Sequence, residues 1–444
     1  MSEVKTSNTS PVLLKTSVVP LQILYPFILV TSLFALWGFA NDITNPMVAA
    51  FKTILQTSYF ESSLVQFAFY GGYCVMAIPA ALFIKRFTYK SGILVGLVLY
   101  AAGALLFIPS GMMMAFWAFL LSYFILTCGL SFLETSSNPY VLAMGPEESA
   151  TRRLNFAQAF NPIGSLLGMF TAQQVILARL NQATAEQREA MTPEALHEVT
   201  AHDLGILRGP YAVIGVIVLA VFVIFLLSKL PKGKEEEGTH LNLKPALRRL
   251  FSNKKYIEGV VAQAFYVGAQ IMCWTFIIQY AMNELGMSAK TAQGYNIVAM
   301  TIFCGSRFIC TYLLKFFSPG GLLMNLAIGG LLLICGTIFI KAMPGLYCLI
   351  AVSACMSLMF PTIYGIALKG LGDDAKLGAA GLIMAIGGGS VMPPLQAYIM
   401  DMNAFDLRFM MLSSTRASFV LPLICFLIIA IFGFRTSKIH RHSY

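Results

Sequence analysis

The chain has 444 residues, of which 57% are hydrophobic and only 11% charged, with a formal net charge of +10. A soluble domain carries roughly 25% charged residues, so water is excluded as the main solvent of this surface and a bilayer is favoured. The positive charge is spread over short connectors rather than gathered into a basic helix or an aromatic-rich patch, which speaks against a nucleic-acid partner.

The first twenty residues are polar and show no cleavage-like site after an apolar run, so the first membrane helix is expected to act as its own insertion signal. Apolar stretches of about 20 residues, each able to cross a core about 30 Å thick, then follow in series. They predict spans near 24–51, 62–84, 92–111, 113–142, 153–180 and 210–230. A polar connector at 181–209 suits a short surface helix or loop. A charged stretch after span six, with Glu235, Glu236 and Glu237 followed by Arg248, Arg249, Lys254 and Lys255, reads as a linker between halves. The plan then repeats, with spans near 256–282, 290–316, 321–341, 345–369, 376–400 and 408–434.

The fold class is therefore an all-α membrane protein of twelve transmembrane helices in two pseudo-symmetric six-helix bundles. Its parts are a tail at 1–23, a bundle at 24–230, a linker at 231–255, a bundle at 256–434 and a tail at 435–444. Placing tails and linker in the cytoplasm puts most Lys and Arg on that side, as the positive-inside rule requires. Two short matches support the repeat. "RFTYKSGIL" at Arg86–Leu94 aligns with "KFFSPGGLL" at Lys315–Leu323, and "AMGPEE" ending span four aligns with "KGLGDD" ending span ten. Parallel six-helix halves point to alternating access.

Several chemistries find no support. The sequence has no phosphate-binding G-x-x-x-x-G-K-[ST] loop, no H-E-x-x-H zinc motif and no catalytic triad, so no enzyme activity, cofactor or metal is expected. The nine cysteines lie in apolar segments without paired spacing and read as reduced, structural thiols. Gly387, Gly388 and Gly389, followed by Pro393 and Pro394, read as a place for close packing or bending. The five histidines all lie outside the spans, which leaves carboxylates as the groups that titrate.

Polar residues inside spans carry the information, because a charge near the bilayer centre costs several kcal/mol unless it faces a cavity or a partner. Glu134 lies midway along span four with Asn138 one turn on, and is a group able to load and release a proton; the plainer reading is a packing hydrogen bond or a fixed ion pair. Asp42 lies in span one between Asn41 and Asn45, whose amides supply the donors and acceptors that sugar hydroxyls need. Its plainer reading is a wet acid at a pore mouth. Gln158 and Asn161 on span five, Gln263 and Gln270 on span seven and Asn296 on span eight are candidates for the same cavity, or for interhelical glue. Trp37, Trp274, Phe360 and Tyr364 sit where a platform for sugar rings would be useful. Arg307, the deepest basic residue, needs a partner and is a candidate for a gating ion pair with an acid. Arg416 is shallower.

At these residues the chain resembles the L-fucose:proton symporter family of the major facilitator superfamily. The resemblance runs from about residue 26 to 434 and is carried by "FALWGFAND", "QFAFYGGYCVMAIPAALFIKRFTYKSGI", "LETSSNPYVLAMGPEESATRRLNFAQAFNPIG", "AQAFYVGAQIMCW" and "FPTIYGIALKGLG". It implies that Glu134, in the "LET" motif, serves sugar recognition and proton coupling, and that Gln158 and Asn161 match polar positions of the fifth helix. The chain departs from the family at two places. Asn45 stands where the first helix commonly carries an aspartate, with the carboxylate displaced to Asp42, and Phe360 stands where the fucose carriers have a tyrosine.

The reading is a secondary active transporter importing L-fucose or a related hexose with a cation, H+ before Na+. Asn41, Asn45, Glu134, Asn138, Gln158, Asn161, Gln263, Gln270, Trp274, Asn296 and Phe360 are expected to line the sugar site, and Asp42 and Glu134 to couple the cation. The expected setting is the cell membrane, the inner one in a Gram-negative bacterium, with the chain working as a monomer. Alternatives are a Na+-coupled glucose, galactose or N-acetylhexosamine symporter, a proton-antiport exporter, and a membrane sugar sensor that does not transport.

Overall fold

The structure, a computed structural model, describes residues 19–145, 150–231, 243–313, 316–371, 374–407 and 410–440. The expected Glu235–Glu237 run, residues 1–18 and 441–444 of the tails, Glu147 and Glu148 of the span-four motif and Asp373 of the span-ten motif lie outside the described residues, while 435–440 of the expected tail continue the last helix.

Twelve helical spans follow one another. Span one is Leu24–Thr44 and Met47–Leu55, span two Tyr59–Arg86, span three Tyr89–Leu105 with Phe107–Met113, and span four Phe116–Ala143. Span five is built from Ala150–Gln158, Phe160–Thr171 and a π-helical segment Ala172–Leu177, and span six is Pro193–Leu227. In the second half, spans seven to nine are Lys254–Leu285, Ala289–Leu313 and Pro319–Phe339, and span ten is Met343–Met356 with Met359–Leu368. Span eleven joins Ala375–Met384 to Gly388–Met400 through a single 3-10 turn, and span twelve is Ser414–Ser418 with Val420–His440.

The breaks have a local cause. Proline brings no N–H and its ring displaces the carbonyl four residues earlier, so Pro46, Pro162 and Pro361 release the backbone oxygens of Asp42, Gln158 and Ser357 from their helical ladders. Spans one, five and ten are the ones interrupted beside those residues. Helix starts are capped from the sequence as well. Thr88 Oγ1 accepts the Ser91 N–H at the start of span three, and Ser318 Oγ accepts the Gly321 N–H at the start of span nine. The two caps fall one position apart in the matched strings, so the repeat extends to local chemistry.

In the first half span one packs on span five, span four on spans two and three, and span six on span three. Span twelve packs on spans seven and nine in the second half, while span eleven crosses to span two. Close approach depends on glycine, as two positions show. A Cβ at Gly164 would strike the carbonyl of Ala35 in span one, and a Cβ at Gly388 would strike that of Ala264 in span seven. Gly387 and Gly389 meet Cys74 and Tyr70 of span two, so the glycine run lies where both halves meet.

Three expectations need correction. Span six begins at Pro193 instead of near 210, so most of the expected connector is helix: Ala185–Glu189 and the first turns of Pro193–Leu227. A buried pair fixes it, Arg188 Nη2 to Asp203 Oδ2 at 2.6 Å, with Arg188 also donating to the carbonyls of Ala183 and Asn181. The polar residues of this stretch hid a helix because Thr192 caps it and Pro193 takes its first position, where no N–H is needed. Span twelve does not start at 408: Phe405–Leu407 and Met410–Leu412 form a two-stranded antiparallel ribbon, and the helix begins at Ser414 under a Ser413 cap. The linker is not only a connector either, since Leu243–Ser252 is helical and Arg249 forms a bidentate pair with Asp374 at 2.7 Å per contact.

Candidate substrate chamber

A cavity of about 240 Å³ lies between the two halves. It is smaller than the roughly 300–1,000 Å³ of pockets that take drug-sized ligands, which suits a small solute. Its wall is assembled from spans one, two, four and five on one side and spans seven, eight, ten and eleven on the other.

Of the residues singled out in the sequence, Asn41, Asp42, Glu134, Gln158, Asn161, Gln270, Trp274, Arg307 and Phe360 line this cavity, as does Trp37. Tyr364 and Arg416 are not part of the wall, and four further polar residues stand behind or away from it. Asn45, 1% exposed, donates from Nδ2 to Asp42 Oδ1 at 3.0 Å. Asn138 donates to the Glu134 backbone carbonyl at 3.0 Å, while its Oδ1 accepts Gln158 Nε2 at 3.2 Å, so it orients Gln158 from span four. Asn296 is buried and donates to Gln293 Oε1, and Gln263 is buried with neither amide atom hydrogen-bonded. An amide in an apolar span is visible in the sequence, but the side of the helix it occupies depends on breaks and tilts that composition does not encode.

The chemistry of the wall is uneven. Among the described residues the Glu134 carboxylate has no hydrogen-bond or ion-pair partner, so its oxygens face the chamber uncompensated. Asn41 Oδ1 and the Tyr73 hydroxyl are buried and face one another without a well-formed hydrogen bond among the described residues. A buried polar atom left unpaired costs about 1–3 kcal/mol, so these atoms define where a hydroxylated ligand gains most. Asp42 differs: it is held by Asn45 and faced by Ser165 of span five. Asn161 donates to the Phe34 carbonyl, tying span five to span one.

Aromatic groups fill the rest. Trp274 Nε1 donates to Ser353 Oγ at 3.1 Å and its ring meets Phe303 edge-on at 5.0 Å. Trp37 packs on Phe34 at 4.3 Å, and Phe360 lies between Tyr266 and Tyr364, the latter ring nearly parallel to it. Arg307 lies over Phe303 and its Nε donates to the Ser357 carbonyl at 3.3 Å, the oxygen that Pro361 releases. Sequence reasoning missed Tyr70, Tyr73, Ser165 and Tyr266. The only available signal was that "FYGGYC" and "QAFYVGAQ" place tyrosines mid-span, which packing alone also explains.

The chamber is closed toward the face away from the linker. There Asp401 of the second half accepts the backbone N–H groups of Tyr59 and Phe60, at 2.8 and 2.7 Å, and Tyr59 meets Asn283. Deeper in, Gln173 donates to the Lys290 carbonyl and Gln293 to that of Met169. Gln158, on the first segment of span five, lines the chamber and is itself exposed.

Two six-helix halves around one central polar chamber, closed at one end, define a secondary transporter of alternating-access type. Residues 29–392 match the Major Facilitator Superfamily. Among curated proteins the chain is 55% identical over 419 residues to the L-fucose-proton symporter of Haemophilus influenzae, covering 93% of this chain and 97% of that one. It is 35% identical over 413 residues to the L-fucose-proton symporter of Escherichia coli, with 92% of each covered. A crystal structure of the E. coli fucose:proton symporter FucP matches with a TM-score of 0.70 at 34% identity, covering 93% of this chain and 99% of that one. The chain belongs to the major facilitator superfamily and, within it, to the L-fucose:proton symporter family.

Proposed function

We propose that this protein imports L-fucose or a closely related hexose together with a proton. One observation carries the reading: Glu134, without a partner among the described residues, faces a small central chamber whose other walls offer amides, hydroxyls and aromatic rings. Such a carboxylate is isolated at an energetic cost, and a proton or a ligand hydroxyl relieves it. Sugar and proton enter from outside, satisfy the chamber's open polar atoms, and the halves rock to expose them to the cytoplasm. In this reading the linker face is cytoplasmic, both tails lie there, the protein sits in the cell membrane, and the monomer is the working unit. Asp42 shares the coupling role with Glu134, and Arg307 acts as a gate by exchanging its Ser357 contact for an acid in another access state.

The test is uptake of labelled L-fucose, glucose, galactose and N-acetylhexosamines by proteoliposomes under imposed proton or sodium gradients. Glu134→Gln is expected to abolish uphill accumulation while exchange of labelled sugar at equal concentrations continues. Active uptake at the unmutated level would remove Glu134 from the mechanism, and accumulation driven by sodium alone would replace the proton.

A further inference from the structure

One chain of side chains connects the chamber to the closed end and crosses from one half to the other. Asn45 Nδ2 donates to Asp42 Oδ1 at 3.0 Å, Gln66 Nε2 donates to Asn45 Oδ1 at 3.0 Å, and the same Nε2 donates to Thr275 Oγ1 at 2.9 Å. Asn45 is 1% exposed, and Gln66 and Thr275 are fully buried. Gln66 Oε1 has no partner. Span two thus offers a single amide edge to an asparagine of its own half and a threonine of the other.

We infer that Gln66 is a positioning residue that makes the far-side closure at Thr275 respond to the ionisation of Asp42. The inference rests on Asp42 taking part in coupling, as proposed above. An ionised carboxylate only accepts, so it fixes the Asn45 amide with Nδ2 toward Asp42 and Oδ1 toward Gln66. Gln66 must then present its NH₂ edge, which reaches Thr275. The two bonds nearer Asp42 point toward the anion and are strengthened by it, and they hold Gln66 in the one orientation whose second N–H reaches Thr275. A protonated Asp42 also donates, so the Asn45 amide is free to turn. Gln66 then turns with it, bringing the idle Oε1 against Thr275, and the chain ends on a neutral acid. The contact between halves survives in both polarities but is held in a single orientation only in the first. The other titratable or charged groups near Asp42 are Tyr70 of span two, Glu134 of span four, and Cys304 and Arg307 of span eight. None of them enters the hydrogen-bonded chain, which makes its variants selective.

The experiment needs no sugar, so its failure is distinct from a wrong substrate assignment. Amide hydrogen exchange of the full-length protein in nanodiscs is followed at about pH 6 and about pH 8 for residues 59–66 and 275–285. The unmutated protein is expected to be several-fold more protected at the higher pH. Asp42→Asn and Thr275→Val should each flatten that difference, and Thr275→Ser, which restores the hydroxyl, should keep it. Gln66→Leu should behave as Thr275→Val; if it does not fold, the Val and Ser pair still decides. A wild-type protein without the pH difference, one with the opposite sign, or a Thr275→Val protein that retains it would overturn the inference.

Discussion

Tyr73 shows how a single unpaired atom sets the sign of a substitution. Its hydroxyl is buried at the chamber wall, where it faces the Asn41 side chain without a well-formed hydrogen bond among the described residues. Tyr73→Phe therefore gives up no well-formed hydrogen bond, and the empty protein should melt at about the same temperature. The same change removes one hydrogen bond to a bound sugar, worth about 0.5–1.5 kcal/mol, so the half-saturating sugar concentration should rise about 2- to 13-fold. Thermal melts and uptake titrations measured side by side check both halves of this expectation; equal affinity in the two proteins would place the sugar elsewhere. At this scale the sequence was most informative where polarity was out of place. Glu134, Asn41 and Gln158 stand out in apolar runs because the bilayer makes them costly. Tyr73 did not, since an aromatic residue in a membrane span is equally at home in packing. Asn45 and Asn138 were visible but fall just behind the wall, where they hold Asp42 and Gln158.

Among the elements, the start of span two accounts for its own free N–H groups with help from the other half. Ser58 and Glu61 form a reciprocal capping box, and Asp401 takes the two remaining N–H groups of Tyr59 and Phe60 with its two carboxylate oxygens. A negative group at a helix N-terminus is favourable, and losing a cap typically costs about 1 kcal/mol, which is roughly fivefold in an equilibrium. This cap exists only while the far side is closed, because Asp401 ends span eleven and Tyr59 begins span two. Asp401→Ala should thus raise the outward-open population and lower the external half-saturating sugar concentration by about that factor. A higher value, or none of this effect under saturating proton, would mean that the contact does not hold the gate. The Ser58 cap is made within one turn of chain, whereas its completion comes from a residue 342 positions beyond Tyr59, a pairing that local sequence does not encode. The long start of span six and the ribbon before span twelve were hidden for a related reason: hydropathy marks where the chain is apolar, and both segments are ordered by polar contacts and caps instead.

The whole molecule is caught in one access state, and its hydrogen bonds between halves explain which. Asp401 with Tyr59 and Phe60, Asn283 with Tyr59, Gln173 with Lys290, Gln293 with Met169 and Gln66 with Thr275 all join the halves on the side away from the linker. Twelve spans and two halves were legible from hydropathy and the two repeated strings, but the access state was not, because both states of a rocking bundle bury the same apolar faces. Gln158 offers a direct reading of it, being exposed while lining the chamber. A cysteine at this position, Gln158→Cys, should react with a membrane-impermeant maleimide in inside-out vesicles well above the level of the nine native cysteines, and little in right-side-out vesicles. Asp401→Ala on the same background should slow the reaction in inside-out vesicles, since moving population outward removes the state that exposes the site. Equal labelling from both sides would mean that the chamber is not closed at the far end. Labelling only from the outside would reverse the assigned orientation of the linker face.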